Sequence, residues 1–167
     1  AKSAADILRH FDGKMSMDSA GAAIEQRARL WLTETLLKSK LGNDTALYAW
    51  YMKTVWLENT IAFQQTRWLP GEYKSWDGLL EAAVEAAVND PQAPRELQNW
   101  KFGDYATVQI GHPIFGKLPW LKKYASTARL PQSGNGITVK QVGGQFAPSE
   151  RFTADFGDLD QSTLNLV

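Results

Sequence analysis

A change of pattern at residues 99–113 constrains the fold of this 167-residue chain more than any other feature. Before it, Ala- and Leu-rich segments place apolar residues at helical spacing, whereas after it Gly, Pro and Asn divide the chain into short runs. Within the stretch, Val108 and Ile110 alternate with polar residues, which predicts a strand. The sequence therefore predicts one α+β unit, with a helical part over residues 1–98 and a small antiparallel β part over residues 99–167.

The helical part contains about four segments that each begin near a capping residue and end near Gly, Asn or Pro. In chain order, the predicted capping residues are Ser3, Asp18 or Ser19, Asp44 or Thr45, and Ser75 or Asp77. The corresponding ends are at residues 12–13, 42–44, 70–71 and 89. The third segment is apolar almost all round, which indicates burial on more than one side and also allows a groove for a ligand or partner.

The β part is predicted from shorter patterns. A short helix is expected around residues 120–126 and a strand over residues 137–142. Residues 151–156 and 162–167 are then expected to form a terminal hairpin that turns at Gly157 and Asp158.

The composition argues against several classes of function. Lys and Arg number 18, as do Asp and Glu, so the chain lacks the excess of cations that nucleic-acid phosphates require. No apolar run approaches the roughly 20 residues of a membrane span, so we expect no membrane partner. The chain contains no Cys, which removes thiolate metal ligands and cysteine nucleophiles.

Only two histidines could supply an imidazole base. His112 precedes a proline at the end of the predicted strand, where a partly buried His that fixes a turn is favoured over a catalytic base. His10 lies on the first predicted helix, where a surface or boundary position is favoured. Two distant His without Cys offer no metal site, so the sequence predicts no catalytic, cofactor-binding or metal-binding residue in this chain.

Two loops could be mistaken for ligand sites. Asp155, Asp158 and Asp160 form an acidic loop, but they lack the rest of a calcium loop, and turns favour Asp for backbone reasons. Residues 134–136, Gly-Asn-Gly, lack the following Lys and Ser or Thr of a phosphate-binding loop. Both are therefore interpreted as turns.

Two groups of charged residues are interpreted as solvated surface. Glu81 and Glu85 stand one helical turn apart on the polar face of the fourth segment, where they cannot divide the roles of acid and base. Lys117, Lys122 and Lys123 flank a short apolar run and are expected in a solvated turn.

Three pieces of the sequence carry a more specific pattern. The first is Phe11-Asp12-Gly13 with the following Asp18-Ser19, and the second is Trp100-Lys101-Phe102-Gly103 with His112-Pro113-Ile114. The third joins residues 131–139, which include Gly-Asn-Gly-Ile-Thr-Val, to residues 148–151 and 155–158. In order and spacing they resemble the C-terminal part of the β-subunit of the penicillin amidase (penicillin acylase) family, which includes acyl-homoserine-lactone acylases. That family has a Trp-Asp-Gly turn, a Trp-x-Trp-Gly-x-x-His strand, a His-Pro-Leu and a Gly-Asp-Gly turn before Thr-Val.

The resemblance implies an N-terminal-nucleophile hydrolase that cleaves the amide bond of acyl amides, such as penicillins, acyl-homoserine lactones or related compounds. In that family a Ser at the β-subunit N-terminus attacks the carbonyl, with its own α-amino group as base. Those residues lie upstream of the matched part, Ala1 has no nucleophilic side chain and Ser3 is not terminal, so no catalytic residue is transferred to this chain.

The resemblance further implies that the chain is an inactive structural fragment whose partner is the remainder of the acylase, in the periplasm or outside the cell. Its uncovered Trp residues and strand edges are expected to promote self-association. Two positions depart from the family pattern, because Ala106 stands where the strand motif has His and Phe102 replaces its second Trp. The alternatives are a self-contained helical module that binds a ligand or partner, and a free-standing hydrolase that uses His112.

Overall fold

The structure, a computed structural model, describes residues 2–45, 55–143 and 150–166. The chain forms two compact units, the first comprising Ala1–Lys14 and Asp18–Lys101 and the second comprising Met15–Met17 and Phe102–Val167. Unit 1 is helical, whereas unit 2 consists of turns and two short antiparallel strand pairs. This arrangement confirms the predicted α+β class.

Unit 1 contains four α-helices among the described residues: α1 (Lys2–Arg9), α2 (Ala20–Leu41), α3 (Val55–Phe63) and α4 (Trp76–Val88). Ser19 and Ser75 cap α2 and α4, because their hydroxyl oxygens accept hydrogen bonds from the backbone N–H groups of Ala22 and Gly78 at 3.1 and 3.2 Å. Gly42 ends α2 with a φ of +53°, a conformation that Gly adopts readily.

Two predicted helix boundaries are wrong. Ser3 lies inside α1 and is not its cap, because α1 already begins at Lys2. The third helix ends at Phe63 and not at Pro70, since Gln64 adopts a φ of +46° and a separate 3₁₀ turn follows at Thr66–Trp68. The predicted start of that helix lies partly in residues 46–54, outside the described residues.

The core of unit 1 is built where α2 and α4 pack together. Its buried members are Leu32, Leu36, Leu57, Trp76, Leu79 and Ala83. Leu32 and Leu36 are one helical turn apart, so both project from the same face of α2. Trp56 and Trp68 pack against this core and meet edge to face, with ring centroids 5.0 Å apart. These two tryptophans therefore belong to a core, whereas Phe63, at the end of α3, is 69% exposed.

Unit 2 contains four short strands among the described residues: β1 (Thr107–Val108), β2 (Leu130–Pro131), β3 (Glu150–Thr153) and β4 (Thr163–Leu166). Strands β1 and β2 pair antiparallel, as do β3 and β4. The β3–β4 pair confirms the predicted terminal hairpin. Met15–Met17, between α1 and α2, also belong to this unit. The carbonyl oxygens of Met15 and Met17 accept hydrogen bonds from the N–H groups of Gly134 and Gly103, both at 2.7 Å.

The strand predicted over residues 99–113 is reduced to β1. Residues 102–104 form a 3₁₀ turn, and the carbonyl oxygen of Phe102 also accepts the N–H of Ala106, beyond that turn, at 3.0 Å. The helix predicted around residues 120–126 is wrong, because this region forms hydrogen-bonded turns. The strand predicted over residues 137–142 is also wrong, since the Thr138 hydroxyl donates to the Lys140 carbonyl and holds a local bend. None of the described helices combines the length and apolar character needed to cross a membrane.

Candidate functional site

His112 fixes a turn at the beginning of the loop that follows β1. Its Nδ1 accepts the backbone N–H groups of Ile114 and Phe115, each at 3.2 Å, which requires the tautomer with the proton on Nε2. The backbone N–H of His112 donates to the Ala125 carbonyl at 2.7 Å. The imidazole ring stacks on the ring of Phe115, with centroids 4.6 Å apart. The prediction that His112 fixes a turn is confirmed, but the side chain is exposed and not partly buried.

The geometry of His112 does not form a catalytic base. A triad histidine is oriented by a carboxylate that accepts its Nδ1–H, and it takes a proton from a hydroxyl through Nε2. Here Nδ1 is an acceptor that is occupied by two backbone donors. Among the described residues, no carboxylate or hydroxyl is hydrogen-bonded to this imidazole.

His10 lies in a shallow groove of about 560 Å³ in unit 1, lined by Ser3, Asp6, Ile7, His10 and Gln98. Although these include the residue types of a triad, each is engaged differently. His10 Nδ1 donates to the Asp6 backbone carbonyl at 2.8 Å, the Asp6 carboxylate pairs with Arg9 at 2.6 Å, and the Ser3 hydroxyl accepts from Gln98 at 3.2 Å. Ser3 lies on α1, whereas His10 comes seven residues later and just after the end of that helix. The groove therefore holds polar surface groups and no assembled nucleophile.

The acidic loop at residues 155–160 is a turn, as predicted. Asp155 Oδ1 accepts the N–H groups of Gly157 and Asp158 at 2.9 and 3.3 Å, and Asp158 Oδ1 accepts the N–H of Asp160 at 3.1 Å. These contacts are side-chain-to-backbone bonds that stabilise turns. Within the described ranges, no group of three or more His, Cys, Asp and Glu residues is arranged to hold a metal ion.

The Gly-Asn-Gly loop is also a turn. Gly134 has a φ of +94°, and a Cβ atom at this position would lie 2.3 Å from the Lys140 carbonyl oxygen, so only Gly fits. The N–H of Gly134 donates to the carbonyl oxygen of Met15 at 2.7 Å, and the N–H of Asn135 donates to the Thr138 hydroxyl oxygen at 2.9 Å. A phosphate loop needs such N–H groups to point at its ligand, whereas here they are used within the protein.

Charged residues missed by the sequence interpretation lie on α2. Arg27 pairs with the carboxylate of Asp90, and Arg29 lies 2.8 Å from Glu25 Oε1 and 2.5 Å from Glu58 Oε1. Burial lowers the pKa of Arg29, but the hydrogen bonds and charges of Glu25 and Glu58 outweigh it and raise that pKa overall. The four-residue spacing of Glu25 and Arg29 is a local signal for one of these pairs, whereas the others depend on tertiary contacts.

The lysines predicted in a solvated turn do lie in one. Lys117, Lys122 and Lys123 are exposed, and the last two line a second cavity of about 460 Å³ in unit 2. Glu81 and Glu85 are exposed on α4, as predicted. Within the described part of the chain, neither glutamate has a partner group that would let one act as an acid and the other as a base.

These contacts define an α+β protein whose described polar residues build caps, turns and ion pairs. The same residues do not assemble a nucleophile with its base. The family model of penicillin amidase matches residues 1–167, the whole chain, and the chain belongs to the penicillin amidase family. This membership confirms the resemblance found in the sequence and places the chain among amidase-like hydrolases. A comparison with curated proteins gives no match.

The residues that carry the family resemblance have structural roles. Trp100 and Phe102 are almost completely buried, each with 1% of its surface exposed. Gly13 and Gly134 adopt positive φ angles of +78° and +94° at turns. Ala106, which stands where the motif has His, is half-buried, and its carbonyl accepts the Gln132 N–H at 2.7 Å. This backbone hydrogen bond thus joins the residue before β1 to the residue after β2, and it requires no imidazole at position 106.

Proposed function

We propose that this chain is a supporting segment of an amidase that cleaves the amide bond of acyl amides, with penicillins, acyl-homoserine lactones or related compounds as substrates. In this reaction water is added across the amide, the C–N bond breaks, and a carboxylic acid and an amine are released. The nucleophile and the groups that stabilise the developing oxyanion belong to polypeptide outside these residues. The segment itself is inactive, and kinship leads us to propose a periplasmic or secreted location.

One observation carries this proposal: the residues that stand at the family's motif positions are used in packing and turn formation. The imidazole of His112, the most reactive group in those motifs, has its Nδ1 occupied by the N–H groups of Ile114 and Phe115. Trp100 in unit 1 and Phe102 in unit 2 are buried, so neither side chain has surface with which to contact a substrate. Residues that are used for packing and for turns are what a support for a catalytic centre requires.

The first test measures hydrolysis of chromogenic acyl amides by the purified 167-residue chain, with short-chain, aromatic and long-chain acyl groups on the same leaving group. We expect no turnover above the uncatalysed rate. His112→Ala and His10→Ala variants serve as matched controls, because they remove the two imidazoles separately. Turnover by the chain that disappears in His112→Ala but persists in His10→Ala would contradict the supporting role.

The second test uses the complete product of the gene. His112→Ala is expected to leave kcat and KM within about twofold of the parent, because His112 is not a reacting group. It is also expected to lower stability by about 1 kcal/mol, because two backbone N–H groups lose their acceptor. A loss of kcat by orders of magnitude at unchanged stability would assign His112 to the chemistry and refute the proposal.

A further inference from the structure

The loop from Gly111 to Ser126, here called the cationic loop, is a well-defined structure closed at its base. Gly111 and Ser126 form an antiparallel β-bridge, and next to it the Thr127 N–H donates to the Ile110 carbonyl at 2.8 Å. A Cβ atom at Gly111 would lie 2.9 Å from the Ser126 hydroxyl oxygen, so the two sides of the loop are in close contact. The loop is therefore preformed for recognition, and a ligand would not need to order it.

Large apolar side chains project from this loop into solvent. Ile114, Trp120 and Tyr124 are 66%, 69% and 77% exposed, and Phe115 is about half exposed. Single exposed apolar residues are common on protein surfaces, but several in one short loop mark an interaction site. Trp and Tyr are also the residues most enriched among those that dominate binding at protein interfaces.

The charges along this part of the sequence have one sign. From Tyr105 to Ser149 the sequence contains no Asp or Glu, although the chain as a whole is neutral. The same stretch contains five cationic residues, namely Lys117, Lys122, Lys123, Arg129 and Lys140. Among the described residues, none of these five lies in an ion pair with a carboxylate. A surface of this kind selects an acidic partner through electrostatic complementarity.

The base of the loop is concave. The cavity of about 460 Å³ is lined by Gln109, Pro119, Lys122, Lys123, Ser126, Thr127 and Ala128. The lining thus includes two lysines and two hydroxyl residues, and side chains of these types can donate hydrogen bonds to a carboxylate. A polypeptide can insert an Asp or Glu side chain into such a cavity, whereas a bilayer surface is broad and contacts projecting groups. The concave donor set therefore favours a polypeptide over a lipid surface.

We propose that the cationic loop docks an acidic, apolar polypeptide segment of the same amidase that lies outside residues 1–167. A carboxylate of that segment occupies the cavity beside Lys122 and Lys123, and its apolar side chains cover Trp120 and Tyr124. This inference rests on the proposed function, since it requires the chain to work as part of a larger amidase. It adds the position of the contact and the chemistry of the partner.

The test is an acetylation footprint of lysine amines, read by mass spectrometry, on the isolated chain and on the complete product of the gene. Lys38 and Lys40, which are exposed at the end of α2, are the internal reference. We expect Lys122 and Lys123 to react at least about fivefold more slowly in the complete product, as for amines buried in an interface. Equal reactivity in both samples would overturn the docking inference.

Two further arms separate other occupants of the surface. The isolated chain is acetylated in the presence of vesicles that contain phosphatidylglycerol, and separately over a hundredfold range of its own concentration. Protection by the vesicles would assign the loop to a lipid surface, and protection at high chain concentration would assign it to a second copy. Either result, without protection in the complete product, would overturn the inference.

A charge-reversal pair identifies the loop as the cause of the protection. In the complete product, Lys122→Glu with Lys123→Glu should raise acetylation of Lys117 toward its rate in the isolated chain. The control pair Lys38→Glu with Lys40→Glu should leave Lys117 protected.

If the isolated chain hydrolyses acyl amides, the proposed function fails whatever the footprint shows. If the chain is inactive but Lys117, Lys122 and Lys123 react equally in both samples, only the docking inference fails.

Discussion

Gly21, the second residue of α2, lies against the side chain of Phe11, and a Gly21→Ala substitution tests this contact. A Cβ atom at Gly21 would lie 2.7 Å from Phe11 Cδ2 and 2.8 Å from both Cβ and Cγ. Carbon atoms in van der Waals contact are about 3.5–4.0 Å apart, so Phe11 must retreat by about 1 Å. Because Phe11 Cβ is itself too close, a rotation of the ring cannot relieve the overlap, and the backbone after α1 must move.

The size of the effect follows from two opposing contributions. Overpacking of a buried site costs about 1–3 kcal/mol. Replacing Gly by Ala within a helix contributes about 0.5–1 kcal/mol in the opposite direction. We therefore expect Gly21→Ala to lower the free energy of unfolding by about 1 kcal/mol, which corresponds to a fall in Tm of about 2–4 °C for a chain of this size.

Gly78→Ala is the matched control. Gly78 also lies in the first turn of a helix capped by Ser, and a Cβ atom there would meet only the Ser75 hydroxyl oxygen, at an ordinary 3.5 Å. The helix preference then acts alone, so we expect Gly78→Ala to raise stability by about 0.5–1 kcal/mol.

Urea unfolding followed by far-ultraviolet circular dichroism gives both changes on the same chain. Phe11→Leu combined with Gly21→Ala should recover part of the loss, since the smaller side chain leaves room for the new methyl group. If Gly21→Ala and Gly78→Ala change the free energy of unfolding by the same amount and with the same sign, the packing of Phe11 on α2 is not as described.

Two further predictions concern charged groups. Arg27→Ala should lower the free energy of unfolding by about 2 kcal/mol in urea titrations, because it removes the cation beside the Asp90 carboxylate, whose side chain is only 10% exposed; a neutral result would show that the ion pair contributes nothing. Asp12 should titrate below 3.8 in NMR measurements, because the Lys14 backbone N–H and then the Lys14 side chain hold the pKa of its carboxyl below that ordinary value. The ionised Asp12 therefore contributes stability above the unfolded-state pKa, and this is lost as pH falls through the folded-state pKa, so the difference between wild type and Asp12→Asn should shrink on acidification. A measured pKa at or above 3.8 would contradict this.

The helices could be predicted because their signals are local. The Ser residues that cap α2 and α4 act on N–H groups three residues away, and Gly42 ends α2 through its own φ. The start of α1 had no such signal, because Ser3 bonds to Gln98, far along the chain. A cap and a tertiary hydrogen bond cannot be distinguished from the identity of one Ser.

The strand predicted over residues 99–113 is mostly absent, because the apolar residues of this stretch do not all belong to extended backbone. Phe102 is buried in unit 2 by tertiary packing, and its carbonyl is used in a local turn with Ala106. Only Thr107 and Val108 then remain to pair with the chain at Leu130 and Pro131. Alternating apolar residues indicate burial, but they do not reveal whether the backbone between them is extended.

For the candidate site, the turns were predicted correctly from the sequence, whereas the solvent exposure of His112 was not. The spacing of Asp155, Asp158 and Asp160 gave the correct turn, since each bond joins a carboxylate to an N–H within three residues. His112 was expected to be partly buried but is exposed, because exposure depends on what the rest of the chain covers. The pairing of Arg29 with Glu58 was missed for the same reason, as it joins α2 to α3.

The two units differ in how they use apolar residues, and this difference bears on the role of the chain. Unit 1 closes a core with long aliphatic side chains from α2, α3 and α4. Unit 2 has few large buried apolar side chains among its described residues, and it maintains its shape largely through backbone hydrogen bonds at turns. Backbone bonds alone contribute little net stability, because water satisfies the same groups in the unfolded chain. A unit of this composition can gain stability from an added apolar surface, and its exposed apolar side chains, which include Trp120, Tyr124 and Phe156, have large areas left to bury. The docking proposed above would bury these side chains and would thereby stabilise unit 2.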